Sequence, residues 1–492
     1  MRLLSEIVTT VTNSNFVNFK DIEIEGVFYD SRLVTEQSLF VAIQGEKVSG
    51  DVFIQNAIEN GAVVIVSELA IDLPENITLL LVQNARKALA QISNAYYSFP
   101  STKLSLIGIT GTNGKTTCSF LLKSLLTHSG KNVGIIGTTG IYFADVFVPS
   151  THTTPESPNI CALLVQMLEY GIDTVIIEVS SHSLSLFRVF GLHFSVSMFT
   201  NLTQDHLDFH KTMDSYASAK KMLFDMMPKN SVSVFFENDS WATYMSSDCS
   251  SIQKIFVTRT PQVEAIEYER SLISNEGSSF NGISFDLQFN SDSNTFSSST
   301  LVGKFNIENL ALCLVVSTIF TNIPLKFFTE VCKSITAAPG RMESILLSKG
   351  VRAFVDYAHT PDALEKVVVT AKESNPNGRL ILVFGCGGNR DVAKRPKMGN
   401  IASKFADIII VTNDNPRDEN STDIIKDICT GFDSGFKKYQ VIENRAEAIQ
   451  KAVEISEFGD CILVAGKGHE EHQIVKGVKL HFSDKEELLK FS

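Results

Sequence analysis

Short apolar runs separated by stretches of helical length recur along the whole chain. Between residues 28 and 82, runs such as Leu39-Phe40-Val41-Ala42-Ile43 alternate with helix-like stretches such as 53–59, an α/β pattern. Further on, apolar strands at 104–109, 133–136, 174–179 and 196–199 alternate with helical segments, which predicts parallel βαβ units and a doubly wound sheet. Alternation at Ile283, Phe285, Leu287 and Phe289 predicts antiparallel strands in an insertion, and the Ser- and Asn-rich run 290–300 that follows reads as a loop-rich appendage. The helical pattern breaks at Ala337-Ala338-Pro339-Gly340, after which strands at 380–384, 408–412 and 461–465 return with helices between them. No repeat of solenoid period is present.

A chain of 492 residues exceeds one ordinary core, and about one domain per 150 residues gives three. The turn Ser98-Phe99-Pro100-Ser101-Thr102 and the break near 337 set the boundaries. The expected fold class is therefore α/β in three domains. A smaller N-terminal domain spans 1–98, a central phosphate-loop ATPase-like doubly wound sheet spans 99–337, and a C-terminal Rossmann-like domain spans 338–492.

Hydrophobic residues at 44% and charged residues at 20% support packed cores. The formal charge of −12 offers no long-range attraction for nucleic acid or anionic lipid, so a phosphate-bearing ligand must be held by local donors. Eight cysteines without a CxxC pair fit reduced thiols and a cytoplasmic location. The first ten residues do not read as a signal peptide, and no apolar run approaches the roughly 20 residues that span a bilayer, so no membrane insertion is expected.

The chemistry starts at Gly108-Ile109-Thr110-Gly111-Thr112-Asn113-Gly114-Lys115-Thr116-Thr117, which joins a strand to a helix carrying Leu121, Leu122, Leu125 and Leu126. Glycines let the backbone curl so that its N–H groups and the helix N-terminus point at phosphate oxygens. Lys115 would neutralise the β- and γ-phosphates of ATP, and the Thr116 hydroxyl is placed to ligate Mg²⁺. The usual spacing puts Gly where Ile109 stands, so the loop is a compact variant.

Glu178 ends an apolar strand, and the next strand delivers Asn201, Asp205, His206 and Asp208 to the same sheet edge, where ligands bind in open α/β folds. Glu178 and His206 could share a metal there. Taken alone, Asp205 and Asp208 are equally good helix caps and His206 a buried polar side chain. Lys220, on the following helix, reads by composition as exposed.

Six ordered motifs carry a resemblance over essentially the whole chain: Gly111-Thr112-Asn113-Gly114-Lys115-Thr116, Glu178-Val179-Ser180-Ser181-His182, the segment 201–206, Asn306 with Asn309, Pro339-Gly340-Arg341, and Asp356-Tyr357-Ala358-His359. In these the chain resembles the Mur ligases, ATP-dependent amino-acid ligases of peptidoglycan synthesis. The resemblance implies a carbamylated Lys220, Mg²⁺ on Glu178 and His206, and Asn306 and Asn309 near adenine. It places Arg341 and Asp356 at the ATP phosphates and ribose. It implies Ser31 at the uridine diphosphate of UDP-N-acetylmuramoyl-L-alanyl-D-glutamate, and Thr153, Thr154, Ser180 and Arg188 at its peptide. Two positions depart from the family: Leu186 stands two residues before Arg188 where members often have a polar side chain, and His152 precedes Thr153 where some have Asn.

Asp414-Asn415-Pro416-Arg417 resembles the pattern of members that add meso-diaminopimelate, with Arg390, Gly466 and Glu470 completing the pocket. Diaminopimelate carries one carboxylate more than lysine, and a guanidinium binds a carboxylate through two parallel hydrogen bonds. Lysine as the added amino acid is the nearest rival. A phosphate-loop kinase and a non-catalytic UDP-sugar binder are the others; the loop spacing disfavours the first, and Lys115, Glu178, His206 and Lys220 together disfavour the second. A monomer is expected.

Overall fold

Branched apolar residues fill the strands of three parallel-rich sheets, because a strand covered on both faces needs a nearly continuous apolar run. In the computed structural model, which describes residues 1–45, 48–150, 152–261 and 268–492, these sheets fall into two compact units. The first comprises Met1–Ser271 with Val315–Asn322, and the second Leu272–Leu314 with Ile323–Ser492.

The first unit contains a five-stranded sheet in the order Asn15–Val17, Thr78–Leu81, Ala62–Ser67, Ser38–Val41, Gly26–Phe28, with only Asn15–Val17 antiparallel. The core of its second sheet runs Val133–Gly137, Thr174–Glu178, Ser105–Thr110, Phe194–Phe199, Val232–Phe236, Gln253–Thr258, all parallel, and the antiparallel strands Gly140–Phe143 and Val146–Val148 extend it beyond Val133–Gly137. Strand Ser105–Thr110 lies in the middle, and the chain leaves it first to one side and then to the other. That reversal opens a crevice at the C-terminal edge, where doubly wound folds bind ligands.

The second unit is built on a sheet ordered Glu343–Leu346, Arg352–Asp356, Cys461–Ala465, Leu380–Phe384, Ile408–Val411, Tyr439–Val441, parallel except for the first strand. An antiparallel pair, Gly282–Phe289 with Asp292–Ser298, also belongs to it. Here the reading of 290–300 as loop-rich needs correction. Residues 292–298 form a strand whose Phe296 lies opposite Phe285, both fully buried, with Ser298 buried on the same face, while Ser293, Thr295 and Ser297 point to the other face. Composition hid a period-two pattern that only two inward positions carry.

Helix Lys304–Thr321 is the one described helix long and apolar enough on paper to cross a membrane. Its middle, from Leu310 through Val316, is at most 1% exposed in the structure, which explains its apolar sequence.

One buried ion pair organises the second unit. Arg445, 1% exposed, begins helix Arg445–Ile455, and Asp484, 0% exposed, begins helix Asp484–Leu489. The guanidinium donates to both carboxylate oxygens, Nε at 2.6 Å and Nη2 at 2.8 Å. It also donates to Asn413 O (3.1 Å) and Ala465 O (3.0 Å), at the ends of two central strands. Removing one partner strands the other charge in the core, at a cost of about 3–5 kcal/mol. Arg445→Met and Asp484→Asn are each expected to lower unfolding stability by about that amount in urea titrations of the full chain, a surface ion-pair mutant such as Lys451→Gln by less than about 0.5 kcal/mol. Equal small losses would show that the pair organises nothing.

Candidate active site

Strand Ser105–Thr110 passes through a tight loop into helix Lys115–His128, whose Leu121, Leu122, Leu125 and Leu126 are fully buried. The loop is fastened from the next strand's end. Thr112 N donates to Asn201 O (2.8 Å), Asn113 N to Asn201 Oδ1 (3.0 Å), and Thr200 Oγ1 to Asn113 O (2.7 Å). Gly111 adopts φ 151°, and a Cβ there would lie 2.0 Å from Thr200 Oγ1. Gly114 caps the helix at φ 87°. Both glycines are therefore required by the loop's curl.

Two lysines converge on this loop. Lys115 Nζ donates to Gly111 O (2.8 Å) and Thr112 O (2.9 Å), and Lys220 Nζ donates to the same Gly111 O at 2.8 Å. Lys220 is 1% exposed, against the exposure that its composition suggested, and its amine lies 4.6 Å from the Tyr216 ring centroid. The cause is local: helix Met213–Asp225 buries the face carrying Tyr216, Ala217, Ala219 and Lys220. Burial, reinforced by the charge of Lys115, holds the Lys220 ammonium well below its ordinary pKa.

Glu178 ends its strand fully buried. Thr116 Oγ1 donates to its Oε2 at 2.9 Å, and Thr138 N donates to Oε1 at 3.2 Å. Thr138 Oγ1 stands between Glu178 Oε2 (2.9 Å) and Thr153 Oγ1 (3.0 Å). A buried carboxylate beside a phosphate-loop threonine is a set of hard oxygen donors suited to Mg²⁺. No direct hydrogen bond joins Glu178 to His206, and among the described residues no group of three or more His, Cys, Asp and Glu side chains is gathered as a ready-made metal cage. His206 instead belongs to a ring cluster, 4.8 Å from His182 and 6.1 Å from Tyr216 between centroids. Burial lowers the pKa of its imidazole, with Lys115 and Lys220 adding to that effect against the nearby Asp205. His210, bonded to Ser181 Oγ at 2.9 Å, is pushed down to about 4 by burial and by His182.

A polar wall continues the same edge. Thr154 Oγ1 donates to Glu178 O (2.7 Å) and accepts from Ser180 N (3.2 Å). Arg188 donates to Thr154 O at 3.0 Å and pairs with Glu156 at 2.9 Å, which also meets Arg86 at 3.3 Å. Thr153, Thr154, Ser180 and Arg188 are thus brought together. Ser31 opens the short turn Ser31–Leu33, buried, its carbonyl accepting from Asn60 Nδ2 at 2.9 Å. Its neighbour Tyr29 reaches Asn159 Oδ1 at 3.2 Å.

In the second unit, Asn306 and Asn309 lie one turn apart on helix Lys304–Thr321, joined at 3.3 Å. Asp356 accepts from Met342 N (2.7 Å) and Ala358 N (2.8 Å), and burial raises its pKa despite the opposing charge of Arg341. The Arg341 guanidinium lies 5.2 Å from the centroid of the Tyr357 ring.

Four residues of the next loop draw in on themselves. Asn415 Nδ2 donates to Glu470 Oε2 at 2.9 Å, and Arg417 Nη1 donates to Gly388 O at 2.8 Å. A Cβ on Gly387 would lie 2.9 Å from Arg417 Nη1 and 3.9 Å from Arg390 Cγ, so both guanidinium side chains flank that glycine. One on Gly466 would meet Asp414 Oδ2 at 2.6 Å. Arg417 itself has φ 53°, held by Arg417 N to Ile474 O (3.0 Å) and Lys476 N to Arg417 O (2.7 Å) from the hairpin after Glu470. Pro416, buried, lies between Asn415 and Arg417.

Sequence reasoning missed Thr138, Glu156, His210 and Lys467. Thr138 follows a strand end at the ligand edge, and Lys467 sits between two glycines at another; position after the strand was the available signal. Glu156 and His210 gave none.

Matches to known proteins follow the same geometry. The descriptions "Mur ligase family, catalytic domain", "Mur ligase middle domain" and "Mur ligase, glutamate ligase domain" match residues 23–97, 109–317 and 340–468. The chain belongs to the Mur ligase family. A relative from Clostridium tetani, named UDP-N-acetylmuramoyl-L-alanyl-D-glutamate--2,6-diaminopimelate ligase, is 40% identical over 490 residues, covering 98% of this chain and 97% of the relative. One of the same name from Bacteroides fragilis is 40% identical, with 99% and 98% covered. A solved structure bearing that name matches with TM-score 0.69 at 30% identity, covering 95% of this chain and 94% of that one. A MurF ligase from Thermotoga maritima in complex with ADP shares the fold, TM-score 0.58 at 17% identity, with 96% and 98% covered. The expected three-domain α/β architecture of a Mur ligase is thus confirmed.

Gly111→Ala tests the loop. A methyl group at that φ and that distance from Thr200 costs at least about 2 kcal/mol, so ADP affinity measured by calorimetry should fall at least about tenfold. Undiminished ADP affinity in a folded variant would detach the loop from nucleotide binding.

Proposed function

We propose that the chain is the ATP-dependent ligase that joins meso-2,6-diaminopimelate to UDP-N-acetylmuramoyl-L-alanyl-D-glutamate in peptidoglycan precursor synthesis. The observation that carries the specificity is Arg417, at positive φ and flanking Gly387 together with Arg390, beside the Asn415–Glu470 pair. Relatives matching over nearly the whole chain carry this activity in their names. Eight free cysteines fit a cytoplasmic enzyme.

Amide formation from a carboxylate and an amine is uphill in water, so the D-glutamate side-chain carboxylate takes the γ-phosphoryl group of ATP as an acyl phosphate, with ADP leaving. The neutral amine of diaminopimelate then attacks the acyl carbon and inorganic phosphate leaves. Lys115 leaves its carbonyl partners for the phosphate oxygens, and the loop amides hold the chain of phosphates. Thr116, Glu178 and His206, with Lys220 as its carbamate, would hold Mg²⁺, which supplies positive charge against the phosphoryl oxygens. The neutral amine that burial favours on Lys220 is the form that reacts with carbon dioxide.

Thr153, Thr154, Ser180 and Arg188 face the dipeptide in this reading, and Ser31 the uridine diphosphate. Asn306 and Asn309 take adenine; Arg341 and Asp356 take phosphate and ribose. Asp414, Asn415, Pro416, Arg417, Arg390, Gly466 and Glu470 form the amino-acid pocket, Arg417 pairing with the distal carboxylate and Glu470 with the distal ammonium.

Mass analysis of product made from the UDP-dipeptide with diaminopimelate or lysine decides the substrate. Wild type should use diaminopimelate, and Arg417→Ala should lower its use at least roughly tenfold, since an unpaired charge left desolvated costs on the order of 2–5 kcal/mol. Lysine should gain little. Wild-type preference for lysine would overturn the specificity and leave the ligase chemistry standing. Lys220→Ala is expected to abolish turnover and to recover part of it with added short carboxylic acids, measured as phosphate release; full activity without them would remove the carbamate.

A further inference from the structure

The amino-acid pocket contains a charge that the family resemblance does not assign. Lys467 follows Gly466 at the end of strand Cys461–Ala465 and is 0% exposed. Its Nζ donates to Asn415 Oδ1 at 3.2 Å and to Glu470 Oε2 at 3.2 Å. Asn415 Nδ2 donates to that same Oε2 at 2.9 Å, and Ile474 N donates to Asn415 Oδ1 at 2.9 Å. The three side chains close a ring in which each hydrogen bond fixes the next.

We infer that Lys467 is a positioning and specificity-determining residue, which orients Glu470 and Asn415 and gives the pocket the net charge that selects an amino acid with two carboxylates. The inference rests on the function proposed above. Both neighbours direct their donors at Oε2, which leaves Glu470 Oε1 for a ligand ammonium. The Glu470 side chain is 24% exposed and so open on one side. Burial alone would raise the pKa of that carboxyl; the charge of Lys467 and the hydrogen bonds from Asn415 and Lys467 hold it below its ordinary value. A second role follows from counting. At the pocket positions, Arg390, Arg417 and Lys467 face Asp414 and Glu470, three cations against two anions. An amino acid whose reacting amine is neutral and which carries two carboxylates and one ammonium has the complementary net charge of −1. Lysine in the same state is neutral. Lys467 supplies the excess cation without touching the distal carboxylate, and it cannot turn away, because it is enclosed and held by two acceptors.

The test is steady-state kinetics of the full-length enzyme with diaminopimelate and with lysine, at saturating ATP and UDP-dipeptide. K467M removes charge and donor; K467Q keeps a donor for Glu470 and removes the charge, so that a folding failure of the first does not end the test. Both are expected to raise KM for diaminopimelate at least tenfold, with kcat changed less than threefold and KM for ATP and UDP-dipeptide unchanged. The ratio of kcat/KM for diaminopimelate over lysine should fall by a similar factor. A KM for diaminopimelate unchanged in both variants overturns the inference alone, as does a parallel rise in KM for all three substrates, which marks a purely structural lysine. A wild-type enzyme that makes no diaminopimelate product overturns the function proposed above, and this inference with it.

Discussion

Two lysine amines at one carbonyl oxygen are the constraint on which the proposed nucleotide site depends. Gly111 O accepts from Lys115 and from Lys220, each at 2.8 Å, inside a loop whose curl is set by Thr200 and Asn201 of the neighbouring strand's end. Two cations so close repel unless one is neutral or an anion arrives between them. Burial moves Lys220 toward the first condition. Lys115 answers the second, since its two carbonyl partners are weaker than phosphate oxygens and can be exchanged for them. The loop is therefore suited to anions, although the chain as a whole carries a charge of −12.

The second unit meets the same problem with a different solution. Arg445 is enclosed completely, and its pair with Asp484 satisfies it on one side while Asn413 O and Ala465 O satisfy it on the other. Those carbonyls immediately precede Asp414 and Gly466, so the pair behind the sheet sets where both pocket loops begin. Hairpin contacts at Arg417 then fix where the first of them ends. The backbone thus fixes where the pocket loops start and end, and the ring of Lys467, Asn415 and Glu470 side chains sets the direction of the groups between.

Much of this was legible along the chain, for physical reasons that differ by element. Strand Ser105–Thr110 and helix Lys115–His128 announce themselves because a buried parallel strand needs an apolar run and a phosphate loop needs glycine at fixed places. The strand 292–298 does not, since only Phe296 and Ser298 point inward while the rest reads as polar loop. Composition alone reads Lys220 as exposed, because residue type carries no information about which helix face is covered; only the resemblance marked it as a site residue. Where the resemblance supplied residues such as Asn415 and Glu470, it did so one at a time. That they share a hydrogen bond, and share it with Lys467, is a tertiary fact with no local signal.

The pattern of what was missed has a cause. Thr138, Glu156 and Lys467 each act on another site residue rather than protrude from a recognisable loop: Thr138 on Glu178, Glu156 on Arg188, Lys467 on Glu470. A side chain that binds ligand is constrained by the ligand's chemistry, which sequence motifs record. A side chain that orients another is constrained only by distance, and several residue types from several elements could meet that requirement. Glu178 shows the consequence: its two oxygens are aimed by Thr116 from one element and Thr138 from another, so the carboxylate's direction is a property of the sheet edge and not of any segment of the chain.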